Sequence, residues 1–165
     1  MRFHVPTLLR WSDLDAYNHV NNSRVLTLLE EARVRAFWNI GASNDDERPL
    51  AIIDAAAEGG DTLTLIARNE IEYLAPIPYS TKPLDVQLWI SKMGAASAEV
   101  DYEIWSPEES QPEGAERVRY VIASSTLVFI DAATQRPRRI NEREREAWTP
   151  YLDEPLTFRG GRSND

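Results

Sequence analysis

Apolar positions repeat along this chain with a period of two, then of about 3.6, then of two again. Phe3 to Trp11 is apolar and β-branched, which predicts a first strand, and Pro6 suits a sheet edge because it cannot donate to a ladder. Ser12 to Asn21 is polar and turn-rich. Val25, Leu28, Leu29, Ala32, Ala36 and Phe37 then recur at helical spacing. Asn21, Asn22 or Ser23 can cap this helix, since each offers a side-chain oxygen to amides without an intrahelical partner. Asn39 and Gly41 are expected to close it, and Glu30, Glu31, Arg33 and Arg35 to form its outer face. Pro49 and the apolar run up to Glu58, followed by Gly59 and Gly60, predict a short second helix.

The pattern then becomes that of strands. Thr62 to Ala75 reads as a long strand with Leu63, Leu65, Ala67, Asn69, Ile71 and Tyr73 on one face and Thr64, Ile66, Arg68, Glu70 and Glu72 on the other. Leu84 to Met93 and Ala96 to Trp105 predict a hairpin joined at Gly94. Ser106 to Gly114 is a Pro/Glu-rich loop, and Arg117 to Ile130 a last long strand. Glu142 to Trp148 fits a short helix, and the tail over 151–165 is expected to be flexible. Strand, long helix, short helix and four antiparallel strands give an α+β class with one domain over 1–150. Five strands and one long helix invite a sheet wrapped around that helix.

Composition narrows the function. At 165 residues and 42% hydrophobic, the chain fits a single domain with a real core. No apolar run approaches the roughly 20 residues of a membrane span, and the first residues are too interrupted for a secretory signal. A cytoplasmic protein with no membrane partner is expected. Cysteine is absent, and the two histidines, His4 and His19, have no metal-binding spacing. Neither a metal nor a cofactor is expected, and carboxylates must carry most acid–base chemistry. A net charge of −9 argues against a nucleic-acid partner. Arg136, Arg138 and Arg139 are the local exception, either a solvated turn or a contact to an anionic group such as a nucleotide phosphate.

The chemistry concentrates in Asp13-Leu-Asp15-Ala-Tyr17-Asn18-His19-Val20-Asn21-Asn22, where two carboxylates, one histidine and three carboxamides precede the long helix. First-turn amides lack partners and the helix dipole adds positive charge there, so such an end can hold an anion or a developing oxyanion. The plain alternative is a capping loop, which Asp and Asn favour on local grounds.

This stretch resembles the signature of the 4-hydroxybenzoyl-CoA thioesterase-like family, whose members have the hotdog fold. The family pattern runs Asp-x-Asp, two variable residues, usually Gly, then His-Val-Asn-Asn, and continues into a helix with Glu-x-Ala-Arg. Glu30-Glu31-Ala32-Arg33 matches that helix. Ile71-Glu72-Tyr73-Leu74-Ala75-Pro76 resembles the second-strand motif; Ser124 to Asp131 with Arg136-Pro137 resembles the last strand and turn. Asn18 replaces the usual Gly, Val25 replaces a common aromatic, and Tyr17 stands where plant relatives carry an Asn.

The resemblance implies hydrolysis of an acyl thioester, with acyl-CoA as partner and an antiparallel five-stranded sheet around one long helix. It maps the catalytic carboxylate onto Asp15, as nucleophile or as general base. Amides from Asn18 and Val20 to Ser23 would form the oxyanion site, and His19 would orient Asp15 or assist the thiolate. Asp13, Tyr17 and Glu30 are possible supports; Tyr73, Arg136 and Arg138 are possible substrate contacts. A homodimer or dimer of dimers is implied, with partner residues near Glu58 to Asp61 or Tyr73 lining the pocket. A non-catalytic acyl-CoA-binding protein and a hotdog hydratase or dehydratase are the alternatives. Acyl chain type, and CoA against acyl carrier protein, stay open.

Overall fold

The structure, a computed structural model, describes residues 1–38, 53, 60–108 and 116–159. β1 (Phe3–Thr7) leads through a 3-10 turn at Trp11–Asp13 into α1 (Asn22–Phe37). Then come β2 (Thr62–Tyr73), β3 (Leu84–Met93), β4 (Ser97–Trp105), β5 (Arg119–Asp131), the two-residue β6 (Arg136–Pro137) and α2 (Glu142–Trp148). The long strands form one antiparallel sheet in the order β1-β3-β4-β5-β2, with β6 paired to the end of β5. The first strand stops at Thr7 rather than Trp11, and Pro6 lies on an edge strand, where its missing donor costs least. The predicted helix closure at Asn39 and Gly41, nearly all of the short helix over 49–58, Glu58 and Gly59 of the expected partner-lining segment Glu58 to Asp61, and most of the loop after Pro107 lie outside the described residues.

Helix α1 lies along one face of the sheet. Asn21 is its cap, accepting from the Ser23 amide at 3.0 Å. Val25, Leu28, Leu29, Ala32, Ala36 and Phe37 pack into a core shared with Val86, Leu88 and Ile90 of β3, Val100, Tyr102 and Ile104 of β4, and Val121, Ala123, Leu127 and Phe129 of β5. Trp148 of α2 stacks on Phe129 and meets Phe37 edge-on, closing one end of the core. Arg33 departs from the expected solvent face: it is only 7% exposed, and its guanidinium donates to the Tyr102 hydroxyl at 3.2 Å.

Strand β2 departs from simple alternation. Its pairing with β5 shifts between Ile66 and Arg68, so Ala67 is an extra residue. One inserted residue reverses the sense of every later side chain. Asn69, Ile71 and Tyr73 therefore share a face with Ser125, Ala123 and Val121 of the core side, while Leu63 and Leu65 turn away from it.

After α2, residues 152–159 cross the sheet's outer face as a strap. Leu152 pairs with Ile90 beyond the end of β1. The Trp89 indole donates to the Glu154 carbonyl at 2.9 Å, and the Leu156 amide to the buried Asp101 carboxylate at 2.8 Å. The Arg159 amide reaches the Glu72 carboxylate of β2.

Helix α2 is anchored by a buried ion pair. Arg138 places two nitrogens on the Glu144 carboxylate at 2.9 and 2.5 Å, and Glu144 also accepts from the Asn141 amide at the helix start. Removing one partner leaves the other charge buried and unpaired. Glu144→Ala is expected to lower unfolding free energy by about 3–5 kcal/mol in urea titrations. A loss below about 1 kcal/mol would show that the pair behaves as an exposed one.

Candidate functional site

The polar loop between Arg10 and Asn22 is held from both ends. Asp13 is 1% exposed; its carboxylate takes the Arg10 amide at 2.7 Å and the Arg10 guanidinium at 3.2 Å. That contact, with Glu31 nearby, raises the Arg10 pKa above its usual value. The Asp13 carbonyl accepts the Asn21 amide at 2.8 Å, Leu14 bridges to Val20, and His19 bridges to Pro78. The loop is thus a short hairpin pinned against the segment after β2, and Asp13 braces it.

Asp15 sits at the turn of that hairpin, half-buried. One carboxylate oxygen accepts the Tyr17 amide at 2.8 Å and the His19 amide at 3.2 Å. The Asn18 amide donates to the Asp15 carbonyl, and the Asp15 amide to the His19 carbonyl. Asn18 closes the turn at φ 60°, a left-handed conformation that Asn tolerates and that explains its place at the usual Gly position. The second Asp15 oxygen takes no hydrogen bond from the described residues. His19 holds Asp15 through its backbone, not its ring. Tyr17 is 80% exposed and points its bulk to solvent.

Five amides were expected to share an oxyanion, and the structure separates them. The Val20 amide donates to the Ile77 carbonyl at 2.9 Å, Asn21 to Asp13, and Ser23 to the Asn21 side chain. Asn18 is also engaged. The Asn22 amide, at the first position of α1, has no acceptor among the described residues. Sequence reasoning grouped these amides because the loop's own pairing, and the distant Ile77 that takes the Val20 amide, are set by the folded backbone.

Asn22 lies on a cleft of about 300 Å³ between the start of α1 and the end of β2, walled by Val20, Val25, Tyr73, Ala75, Pro76 and Val121 among others. The Tyr73 hydroxyl donates to the Asn22 carbonyl at 3.0 Å, tying the two walls together. Burial raises the Tyr73 pKa, so the phenol stays protonated as a donor. Asp15 does not line this cleft within one chain.

The remaining predicted contacts fall elsewhere. Arg138 is spent on Glu144 and on the Thr62 hydroxyl, which removes it as a ligand for a substrate anion. Arg136 is exposed on β6, opposite Asp131, at the other end of β5 from Val121; ten residues of strand put it about 33 Å from the cleft within one chain. Glu30 is 65% exposed and stands 3.8 Å from Arg33. No group of three or more metal-ligating side chains converges among the described residues. No helix among them is long and apolar enough to cross a membrane.

The sequence pattern of the thioesterase-like superfamily matches residues 9–148. No protein of curated description matches. A 1,4-dihydroxy-2-naphthoyl-CoA thioesterase from Synechocystis superposes with a TM-score of 0.69 at 19% identity, covering 94% of this chain and 100% of that one. A probable thioesterase from Escherichia coli superposes at 0.62 with 25% identity over 93% and 99% of the two chains. A Thermus thermophilus thioesterase solved with coenzyme A and zinc gives 0.64 at 25% identity over 92% and 95%. With a sheet packed on one long helix and a match over most of its length, the chain belongs to the thioesterase-like superfamily of hotdog-fold proteins and is a thioester hydrolase.

Proposed function

We propose that the protein hydrolyses acyl-CoA thioesters, with the Asp15 carboxylate as nucleophile or general base and the Asn22 amide as an oxyanion donor. The observation that carries this is a loop carboxylate with one unengaged oxygen, together with a first-turn amide that has no acceptor among the described residues and opens on the cleft. Either Asp15 would take a proton from the water that attacks the thioester carbonyl, or it would attack the carbonyl itself to give an acyl-aspartyl anhydride that water then hydrolyses; in both routes the Asn22 amide would meet the charge on the carbonyl oxygen, and CoA would leave as the thiolate and take up the released proton. The coenzyme A bound to the Thermus thermophilus protein supports CoA as the carrier.

Asp15 and the cleft do not meet within one chain, which favours a site completed by a second copy. Among the described residues β2 pairs only with β5, which leaves its other edge without a strand, and Leu65 and Ile66 beside it are exposed. Pairing two such edges would bury both and place each cleft beside the partner's loop.

The test is thiol release from a panel of straight-chain, branched and aryl acyl-CoAs, followed with a thiol-reactive chromophore. Turnover of one or more members, with hyperbolic dependence on substrate, is expected. Tight binding of acyl-CoA without thiol release from any member would instead make the protein a ligand-binding module.

A further inference from the structure

Arg33 is a cation inside the protein with few acceptors. Its guanidinium meets the neutral Tyr102 hydroxyl at 3.2 Å, and its nearest carboxylate, Glu30, is 3.8 Å away and largely in solvent. A guanidinium has five N–H donors, and burying them unpaired is costly. Beside it is a second cavity of about 150 Å³, which Arg33 and Glu30 line together with Asn69 and Ser125. The Ser125 hydroxyl donates to the Asn69 side-chain oxygen at 2.7 Å, which leaves the Asn69 amide nitrogen to donate elsewhere. Asn69 and the buried Ser125 share the helix-facing side of β2 and β5, and Asn69 opens to the surface.

The cavity and the cleft at Asn22 lie on one line. Tyr73 faces Val121 at the cleft and Asn69 faces Ser125 at the cavity, with Ile71 and the small Ala123 paired between them. On α1 the same walls run from Asn22 through Val25 and Leu26 to Glu30 and Arg33. Eleven residues of helix between Asn22 and Arg33 span about 16 Å along the axis, and a helical side chain leans back toward the helix start, which shortens that separation.

We propose that this line is the acyl channel and that Arg33, Asn69 and Ser125 end it in a subsite for an oxygen at the far end of the acyl group. The subsite rests on the thioesterase reading, since it assigns the reacting carbonyl to Asn22. Arg33 and Asn69 donate to the distal oxygen. Glu30 tempers the positive charge and can accept from a hydroxyl, so a hydroxyl fits both neighbours, whereas a carboxylate would face Glu30 with a like charge. A plain methyl end would offer these donors no acceptor.

The test compares octanoyl-CoA with its ω-hydroxy and ω-carboxy counterparts by kcat/KM, and the matching non-hydrolysable S-alkyl-CoA thioethers by calorimetry. The ω-hydroxy compound is expected to exceed octanoyl-CoA by at least about tenfold in both measurements. Arg33→Met should bring that ratio near one, and Ser125→Ala, which removes the hydroxyl that holds the Asn69 side chain, should reduce it severalfold. Equal use of the methyl and hydroxyl ends by the wild type, or a ratio unmoved in Ser125→Ala, overturns the subsite. Preference for the carboxyl end overturns the part given to Glu30. If no thioester is cleaved, the thioether ratios still judge the subsite, and the hydrolase reading alone fails.

Discussion

Asn22→Pro is expected to lower kcat by about 10²–10³-fold without unfolding the protein. Asn22 is the first residue of α1, and its amide is the one in the loop-to-helix junction with no acceptor among the described residues. Proline is favoured at that helix position because its missing N–H would find no intrahelical partner there. Asn21 before it is extended, at φ −62° and ψ 136°, which the residue preceding proline prefers. The substitution therefore deletes one hydrogen-bond donor and leaves the helix in place. A donor that matters only as charge develops on the carbonyl oxygen should appear in kcat more than in KM. Asn22→Ala keeps the amide and should keep the rate. Full activity of the proline variant, measured by thiol release, would move the oxyanion donor elsewhere.

Asp15→Asn should cost at least about a hundredfold in turnover, the range that loss of a general base produces. The amide side chain retains an oxygen to accept from the Tyr17 and His19 amides, so the turn at Asn18 should persist. What it loses is the charge and basicity of the second oxygen. Circular dichroism should show the native fold, and thiol release should show the defect. Turnover equal to wild type would assign the attack to another group.

Much of the architecture was readable because it rests on local rules. The period of two gave β3 and β4 with Gly94 between them, the period of 3.6 gave α1, and Glu142 to Trp148 was placed as the short last helix. The face assignment of β2 failed because a bulge is invisible to periodicity: Ala67 looks like any strand residue, yet it turns Asn69 and Tyr73 toward the helix. Arg33 was placed outside because charge argues for solvent, and only the sheet's Tyr102 reveals where its guanidinium ends. In the loop, the residues that carry the resemblance were visible, but not which amides were already spent. Arg138 was misjudged for the same reason: Glu144 and Thr62 occupy it, and Thr62 lies more than seventy residues away in sequence.

The strap over residues 152–159 has a consequence for how the molecule assembles and how it can be handled. It runs from β3 past Asp101 of β4 to Glu72 of β2, so it can settle only once those strands are already side by side. The strap must then settle after those strands have paired, like a latch dropped after a door has shut. The latch comes to rest on the residue before Tyr73, on the reverse side of the strand that walls the cleft. A purification tag fused after the strap would start at that strand, whereas one placed before Met1 would start at Pro150, beside the other edge of the sheet.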